Sequence, residues 1–237
     1  ILGLLFSFSS RHDFPPLYEA NRNIKQPPIQ TETTKKTFQV KKSNNQYWLE
    51  PLFEYRLTGL IVSYRLHDLE DGSHKKWGEN GDNLNIADIC VVWGKNINHT
   101  LLNEISFYNA DYTCFVQPHS QTVGDLFQMN ALSNNHLLTE DRNIVRTINK
   151  IQIGDQIEIK GLLVKYGDNQ GEIRGSSITR DDTGGRACET IYLSDFKILK
   201  KFDQPLSSWN LSWMGVIITS AFWLLMTCLG RYQNSYD

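Results

Sequence analysis

The chain has 237 residues, of which 40% are hydrophobic and 21% are charged, and its formal net charge is −2. This length and composition predict a globular protein with a buried core, organised as one large or two small domains. The weak net charge argues against a protein whose main task is to grip nucleic acid over its whole surface. The chain's four cysteines are too few for a disulfide scaffold. Composition alone therefore leaves the function open.

Residues 1–10, ILGLLFSFSS, are apolar but too few to span a bilayer. They are interpreted as the end of an apolar N-terminal segment, either a signal sequence or an anchor, with a short buried strand as an equal alternative. Residues 11–45 are predicted to be an extended linker, because Pro15-Pro16 and Pro27-Pro28 disfavour helix. The six basic residues between positions 22 and 42 suit a tether near anionic headgroups or, as we prefer, a solvated linker.

Residues 46–203 are predicted to form a β-rich globular domain. Apolar and polar residues alternate from Phe53 to Leu57, and the apolar run Leu60–Val62 follows, so a strand is expected that bends at Gly59. The polar stretch 67–85 is predicted to be a loop, and residues 121–136 fit neither periodicity. Further strands are predicted at 89–93, 105–108, 112–116, 156–166, 172–179 and 189–199.

One helix is predicted, over residues 139–151, because Thr139 is a favourable N-cap and the isoleucines that follow fall on one face. Many short strands with a single helix indicate a mainly β fold. The expected architecture is a small antiparallel barrel of the oligomer-binding (OB) type, or a strongly curved sheet, with one clear helix at 139–151.

The segment 209–230 is predicted to be a transmembrane helix, since residues 211–230 carry no charge and about 20 helical residues span roughly 30 Å. Trp209 and Trp213 at one end and Tyr232 at the other are expected to anchor it at the membrane interfaces. A buried C-terminal helix is the alternative. Residues 231–237 are expected to be a polar tail.

The stretch SSITRDDTGGRACET, residues 176–190, contains two candidate catalytic groups, an aspartate triplet and a cysteine. Asp182-Thr183-Gly184 spells an aspartic-protease triplet, but it lacks the second copy and the apolar flank that this chemistry needs, so it is interpreted as a hairpin turn. Cys188 is a possible reactive thiol, with His119 or His136 as the base. The alternatives are that Cys188 packs as a small apolar side chain or forms a disulfide with Cys90 or Cys114.

Other chemical sites find little support. The acidic and histidine residues of one loop do not match zinc or calcium spacing and are interpreted as a polar loop: His67, Asp68, Glu70, Asp71 and His74. No cofactor, no nucleic-acid partner and no identifiable small-molecule substrate are expected. An OB-like barrel can nevertheless bind glycans or single strands through exposed aromatic side chains, and the candidates are Tyr64, Trp77, Trp93, Phe107, Tyr108 and Tyr112.

Several stretches of the predicted domain together resemble a group of uncharacterised bacterial membrane-anchored proteins with a compact extracytoplasmic OB-like domain. The likeness covers residues 50–199 and rests on these motifs: Asn135-His136-Leu137, residues 154–164, Ser176-Ser177, Arg180, Asp182-Thr183-Gly184 and Ala187-Cys188-Glu189. The resemblance implies a periplasmic domain, against the basic residues that precede the C-terminal helix, which favour the cytoplasm. It implies no activity.

The function expected from the sequence is that of a membrane-anchored accessory or structural subunit, whose β-rich domain contacts other subunits of a membrane complex. The first alternative is a thiol-dependent enzyme or redox protein centred on Cys188. The second is an OB-like module that binds a glycan or nucleic acid.

Overall fold

The fold is taken from a computed structural model, which describes residues 14, 21–67, 82–110, 112–168, 171, 173–179, 182, 187–202, 215–220 and 222–224. The chain divides into two compact units. Residues 15–202 form a β-rich unit, and residues 1–14 together with 203–237 form the other.

The described part of the β-rich unit contains ten strands and three short α-helices. The strands are β1 (Ile29–Glu32), β2 (Phe38–Lys42), β3 (Asn45–Leu66), β4 (Asn85–Val92), β5 (Ile105–Ala110), β6 (Thr113–Pro118), β7 (Leu132–Leu138), β8 (Gln156–Asp168), β9 (Ile173–Arg174) and β10 (Cys188–Lys200). The helices are α1 (His99–Asn103), α2 (Gln121–Leu126) and α3 (Arg142–Ile148), with 3-10 turns at Arg22–Lys25, Gly94–Asn96 and Met129–Ala131.

Eight strands form one large mixed sheet, and β5 and β6 form a separate two-stranded sheet. Strands β3, β4, β7, β10 and β8 pair in that order, and β8 also pairs with β3, so these five pairings form a closed cycle. The prediction of a mainly β fold is confirmed. The expectation of a purely antiparallel sheet is wrong, because β10 pairs in parallel with β7. The long connection between them, which contains α3 and β8, is what a parallel pair requires.

The core lies on one face of the paired strands, where alternate apolar residues point inward. Ile89 and Val91 on β4, Leu137 on β7 and Ile191 on β10 are fully buried in one hydrophobic cluster. Because side chains alternate along a strand, the residues between them lie on the other face. That other face carries the polar residues from which the candidate site is built.

The predicted helix is shorter than expected, since α3 covers only residues 142–148 of the predicted 139–151. Asp141, and not Thr139, caps it, with its Oδ1 accepting from the backbone N–H of Asn143 at 2.7 Å. Thr139 directly follows the last residue of β7, and its N–H donates to the carbonyl of Leu84. Two further short helices, α1 and α2, were not predicted.

Residues 29–42 lie within the segment predicted as a linker, and there they form β1 and β2, which both pair with β3. The predicted strand pair at 105–108 and 112–116 is confirmed as β5 and β6. The unassigned segment 121–136 contains α2 and most of β7.

The sequence predicted that the stretch 176–190 closes a hairpin between two long strands. The structure shows a different arrangement. The return strand β9 is only two residues long and pairs with β8, whereas β10 pairs with β7 and β8. Among the described residues of the stretch, a backbone hydrogen bond from Ser177 N–H to the Cys188 carbonyl at 2.8 Å joins its two sides. Thr183 and Gly184 lie outside the described residues.

In the second unit, residues 215–220 and 222–224 are helical and exposed. The Thr219 hydroxyl donates to the carbonyl of Gly215 at 2.9 Å, so this polar group is satisfied within the helix. Over the part of the chain that the structure describes, no helix is both long enough and apolar enough to cross a membrane. Most of the predicted span 209–230, together with Trp209, Trp213 and Tyr232, falls outside the described residues.

One glycine on β8 provides a stability test of the β8–β10 contact. A Cβ at Gly161 would collide with the carbonyl oxygen of Tyr192 on β10. Gly161→Ala is therefore expected to lower the free energy of unfolding by about 2 kcal/mol, measured by urea denaturation. Gly175→Ala, where a Cβ would meet no atom within 4 Å, is the matched control and should change it by less than about 0.5 kcal/mol. Equal effects of the two variants would contradict the close packing.

Candidate thiol site

The polar face of the sheet brings together residues from three neighbouring strands. Cys90 on β4 is paired with Asn134 on β7, which is paired with Cys188 on β10. Asp88 and His136 form the next pair on the same face, because side chains two residues apart on a strand point the same way. A carboxylate, an imidazole and a thiol distant in sequence thus meet on one surface.

Asp88 is the centre of this cluster and is completely buried. Its Oδ1 lies 2.6 Å from Nδ1 of His136 and 3.3 Å from Nε2 of His67, and it accepts from the Asn85 amide at 3.0 Å. Its Oδ2 has no hydrogen-bond partner within the described part of the chain. One buried carboxylate oxygen therefore orients two imidazole rings.

The pKa values of the pair follow from this geometry. Burial alone would raise the pKa of Asp88, but the hydrogen bonds and charges of His136 and His67 hold that pKa well below its usual range. Burial alone would lower the pKa of His136, but Asp88 and then Cys188 outweigh it and raise that pKa to about 9. The Asp88 carboxylate therefore favours the charged form of His136.

Cys188 is a free thiol and is partly exposed, whereas His136 and Asp88 beneath it are buried. It lies beside His136 on the same face of the sheet, because Cys188 pairs with Asn134 and Thr190 pairs with His136. Its Sγ also lies 3.6 Å from the carbonyl oxygen of Tyr112 and 3.6 Å from the amide nitrogen of Asn134. The thiol is thus held between β10, β7 and the hairpin of β5 and β6.

Residues 105–118, which we call the covering hairpin, pack over this face. A disulfide between Cys90 and Cys114 joins β4 to the hairpin. The Asn109 side chain bonds to Ser63 on β3 and donates to Asn134 Oδ1 at 3.2 Å. The covalent link and these hydrogen bonds hold the hairpin in place over Asn134 and Cys188.

Tyr112, at the turn of the covering hairpin, has a backbone φ of 59°, in the left-handed region that favours glycine. Its ring meets His136 edge-on at 5.9 Å between ring centroids, and the Arg174 guanidinium lies 3.6 Å from the centre of its ring. A strained turn residue that touches both the thiol and the imidazole is typical of a functional site.

Of the two histidines considered as a base for Cys188, the structure brings only His136 to the thiol. His119 is exposed and contacts Ser106 at 3.0 Å and Glu104 at 3.7 Å. Of the cysteines considered for disulfides, Cys90 and Cys114 pair with each other and Cys188 does not take part.

His67, assigned to a polar loop, is instead buried against Asp88. Its proposed neighbours Asp68, Glu70, Asp71 and His74 lie outside the described residues. Among the residues that are described, no group of three or more histidine, cysteine or acidic side chains is arranged to hold a metal ion. Of the candidate stacking aromatics, Tyr108 is exposed and stacks on Phe115 at 4.7 Å, whereas Trp93 is buried.

Asp88 was missed by the sequence reasoning. A signal was present, because Asp88 is a lone carboxylate within the apolar run Ile86–Trp93. A charged residue in a buried strand needs a partner, and the partner is usually a second buried polar residue.

The arrangement can perform nucleophilic thiol chemistry. A thiol nucleophile is activated by an adjacent imidazole, which is in turn oriented by a third group. Cys188, His136 and Asp88 correspond to these three positions in order of increasing burial, so Cys188 is the most exposed residue of the set.

Comparison of the chain with protein-family models, with curated proteins and with solved structures gave no significant match.

Proposed function

We propose that this protein acts through the Cys188 thiol, as a thiol-dependent enzyme or redox protein. Asp88 holds Nδ1 of His136, which leaves Nε2 to exchange a proton with the sulfur or with a bound substrate. The observation that carries the proposal is the 2.6 Å contact between Asp88 Oδ1 and His136 Nδ1, beside a partly exposed thiol on the same face of the sheet.

The fold supports the proposal at the level of architecture. The closed cycle of five strand pairings, with α3 between the third and fourth strands along the chain, supports an OB-like barrel. OB-folds bind their ligands on the face of their second and third strands, which correspond here to β4 and β7. Asp88 and His136 lie on those two strands.

Location is the second part of the proposal. The Cys90–Cys114 disulfide supports an extracytoplasmic domain, because disulfides persist in oxidising compartments. Anchoring through residues 209–230 is supported by the exposed apolar side chains of Ile217, Phe222 and Trp223. A role as a subunit of a membrane complex rests on that apolar segment alone.

The thiol proposal is tested by the alkylation rate of Cys188. Under iodoacetamide at pH 7, His136→Gln is expected to slow the labelling of Cys188 at least about tenfold, because the imidazole that assists the sulfur is gone. Mass spectrometry of peptides from the labelled full chain gives the rate at Cys188 separately from that at Cys228. Cys188→Ser should lose the label at position 188.

His119→Gln is the matched control, since it removes an exposed histidine that lies away from the thiol, and it should label at the wild-type rate. Circular dichroism must show that both variants are folded, because unfolding exposes the thiol for another reason. A folded His136→Gln variant that labels as fast as the wild type would overturn the proposal.

A further inference from the structure

A cleft of about 870 Å³ lies in the β-rich unit, between three segments that are far apart in sequence. Its walls come from residues 25–27 at the N-terminal side, from the turn at 93–99 after β4, and from residues 128–131 before β7. None of the residues of the thiol site lines it. Its volume lies within the range of small-molecule sites.

Buried hydrogen bonds fix two of the walls. The Asn96 side chain is fully buried and donates to the carbonyls of Gln128 at 2.8 Å and Ala131 at 3.2 Å. Its Oδ1 accepts from the Gln128 N–H at 2.9 Å. Gly94 adopts a φ of 63° at the bend, a conformation that other residues rarely take. The cleft is therefore formed before any ligand arrives.

The lining combines positive charge with an apolar floor. Lys25 and Lys95 both line the cleft, and none of the described lining residues is acidic. Neither lysine forms an ion pair with another described residue. Trp93 and Ile97, both largely buried, supply the apolar surface.

Hydrogen-bond donors at the cleft are also available. Asn98 Oδ1 is occupied, since it accepts from the N–H groups of Thr100 and Leu101 at the start of α1. Its amide NH₂ is the part of this side chain that remains for a ligand. Ammonium groups and an amide donor match the acceptor oxygens of an anion.

We propose that this cleft binds a small organic anion, a carboxylate or a phosphate carried on an apolar ring or chain. The lysines supply the counter-charge, and Trp93 and Ile97 contact the apolar part. The proposal does not depend on the thiol site, because the two regions share no residue.

The test is a titration of the full chain with phenyl phosphate, benzoate and neutral benzyl alcohol, followed by NMR of the Gly94 and Asn98 amide signals. Saturable shifts are expected with one or both anions, and the stronger binder identifies the preferred group. The shifts should weaken as salt is added. Benzyl alcohol should bind at least tenfold more weakly.

Lys25→Glu combined with Lys95→Glu is expected to weaken anion binding at least tenfold. Lys41→Glu, which reverses an exposed lysine on β2 outside the cleft, should leave it unchanged. Equal binding of benzyl alcohol, unchanged affinity in the double variant, or no saturable shift with either anion would each overturn the proposal.

Discussion

Replacing Asp88 with asparagine is expected to lower the free energy of unfolding by about 3 kcal/mol at pH 6. The amide keeps the shape of the carboxylate but removes its charge. The buried imidazole of His136 then lacks its counter-charge, and His67 loses the carboxylate oxygen that it contacts at 3.3 Å. Breaking a buried pair from one side leaves an uncompensated charge, which is why the expected loss is large.

This loss should depend on pH in a defined direction. The pKa of His136 is raised to about 9 in the folded protein, against about 6.5 in an unfolded chain. Its contribution to stability is therefore complete below about pH 6.5 and is lost as the pH rises through about 9. The pKa of Asp88 is lowered, so its contribution is present above about pH 4 and is lost as the pH falls.

Urea denaturation of the wild type and of Asp88→Asn, at pH values from 5 to 10, checks this prediction. The difference between the two proteins should be largest between about pH 5 and 6.5 and should shrink by about pH 10. Asp195→Asn is the control, since Asp195 is more than one-third exposed and pairs with Lys197 at 3.1 Å on the surface. It should cost less than about 1 kcal/mol at any pH. A pH-independent loss in Asp88→Asn would contradict the ion pair.

Removing the Cys90–Cys114 disulfide, by replacing both cysteines with alanine, is expected to cost about 3 kcal/mol of stability. The bond closes a loop of 24 residues that contains α1 and β5. Without it, the covering hairpin is held by hydrogen bonds such as Asn109 to Asn134. The hairpin should open more often, and Cys188 should then react several-fold faster with iodoacetamide.

Hydrogen exchange of the amides of residues 105–118 measures the opening directly, and the alkylation rate of Cys188 measures its consequence. Chemical reduction of the disulfide in the wild type should reproduce both the faster hydrogen exchange and the faster alkylation. This control separates the effect of losing the bond from the effect of losing the cysteine side chains. If the double variant exchanges and labels as the wild type does, the disulfide does not control access to the thiol.

The local features of the fold could be predicted from the sequence where periodicity is strong. The β5–β6 pair, for example, was predicted from the sequence and is present with that pairing. The parallel β7–β10 pair could not be predicted, because no local pattern records which distant strand becomes a neighbour. The sequence also predicted a longer β9 that pairs with β10, because the residues of a hairpin normally pair with the strand that follows.

In the candidate site, too, the individual residues could be recognised from the sequence, but their long-range contacts could not. Cys188 and His136 were each recognised as reactive residue types, yet the sequence held nothing that placed them together. Their contact arises from the register in which Cys188 pairs with Asn134 and Thr190 pairs with His136. Asp88 was overlooked since its neighbours are apolar, and its role depends on strand pairing with His136.

The parallel pairing of β7 with β10 also determines when the site forms. Contacts between segments separated by about 50 residues form slowly, because the chain must first close a long loop. Strand β10 is the last strand of the β-rich unit to leave the ribosome. Cys188 therefore cannot meet its imidazole until β10 has been synthesised and has paired with β7, so the reactive pair depends on the most C-terminal of the described strands.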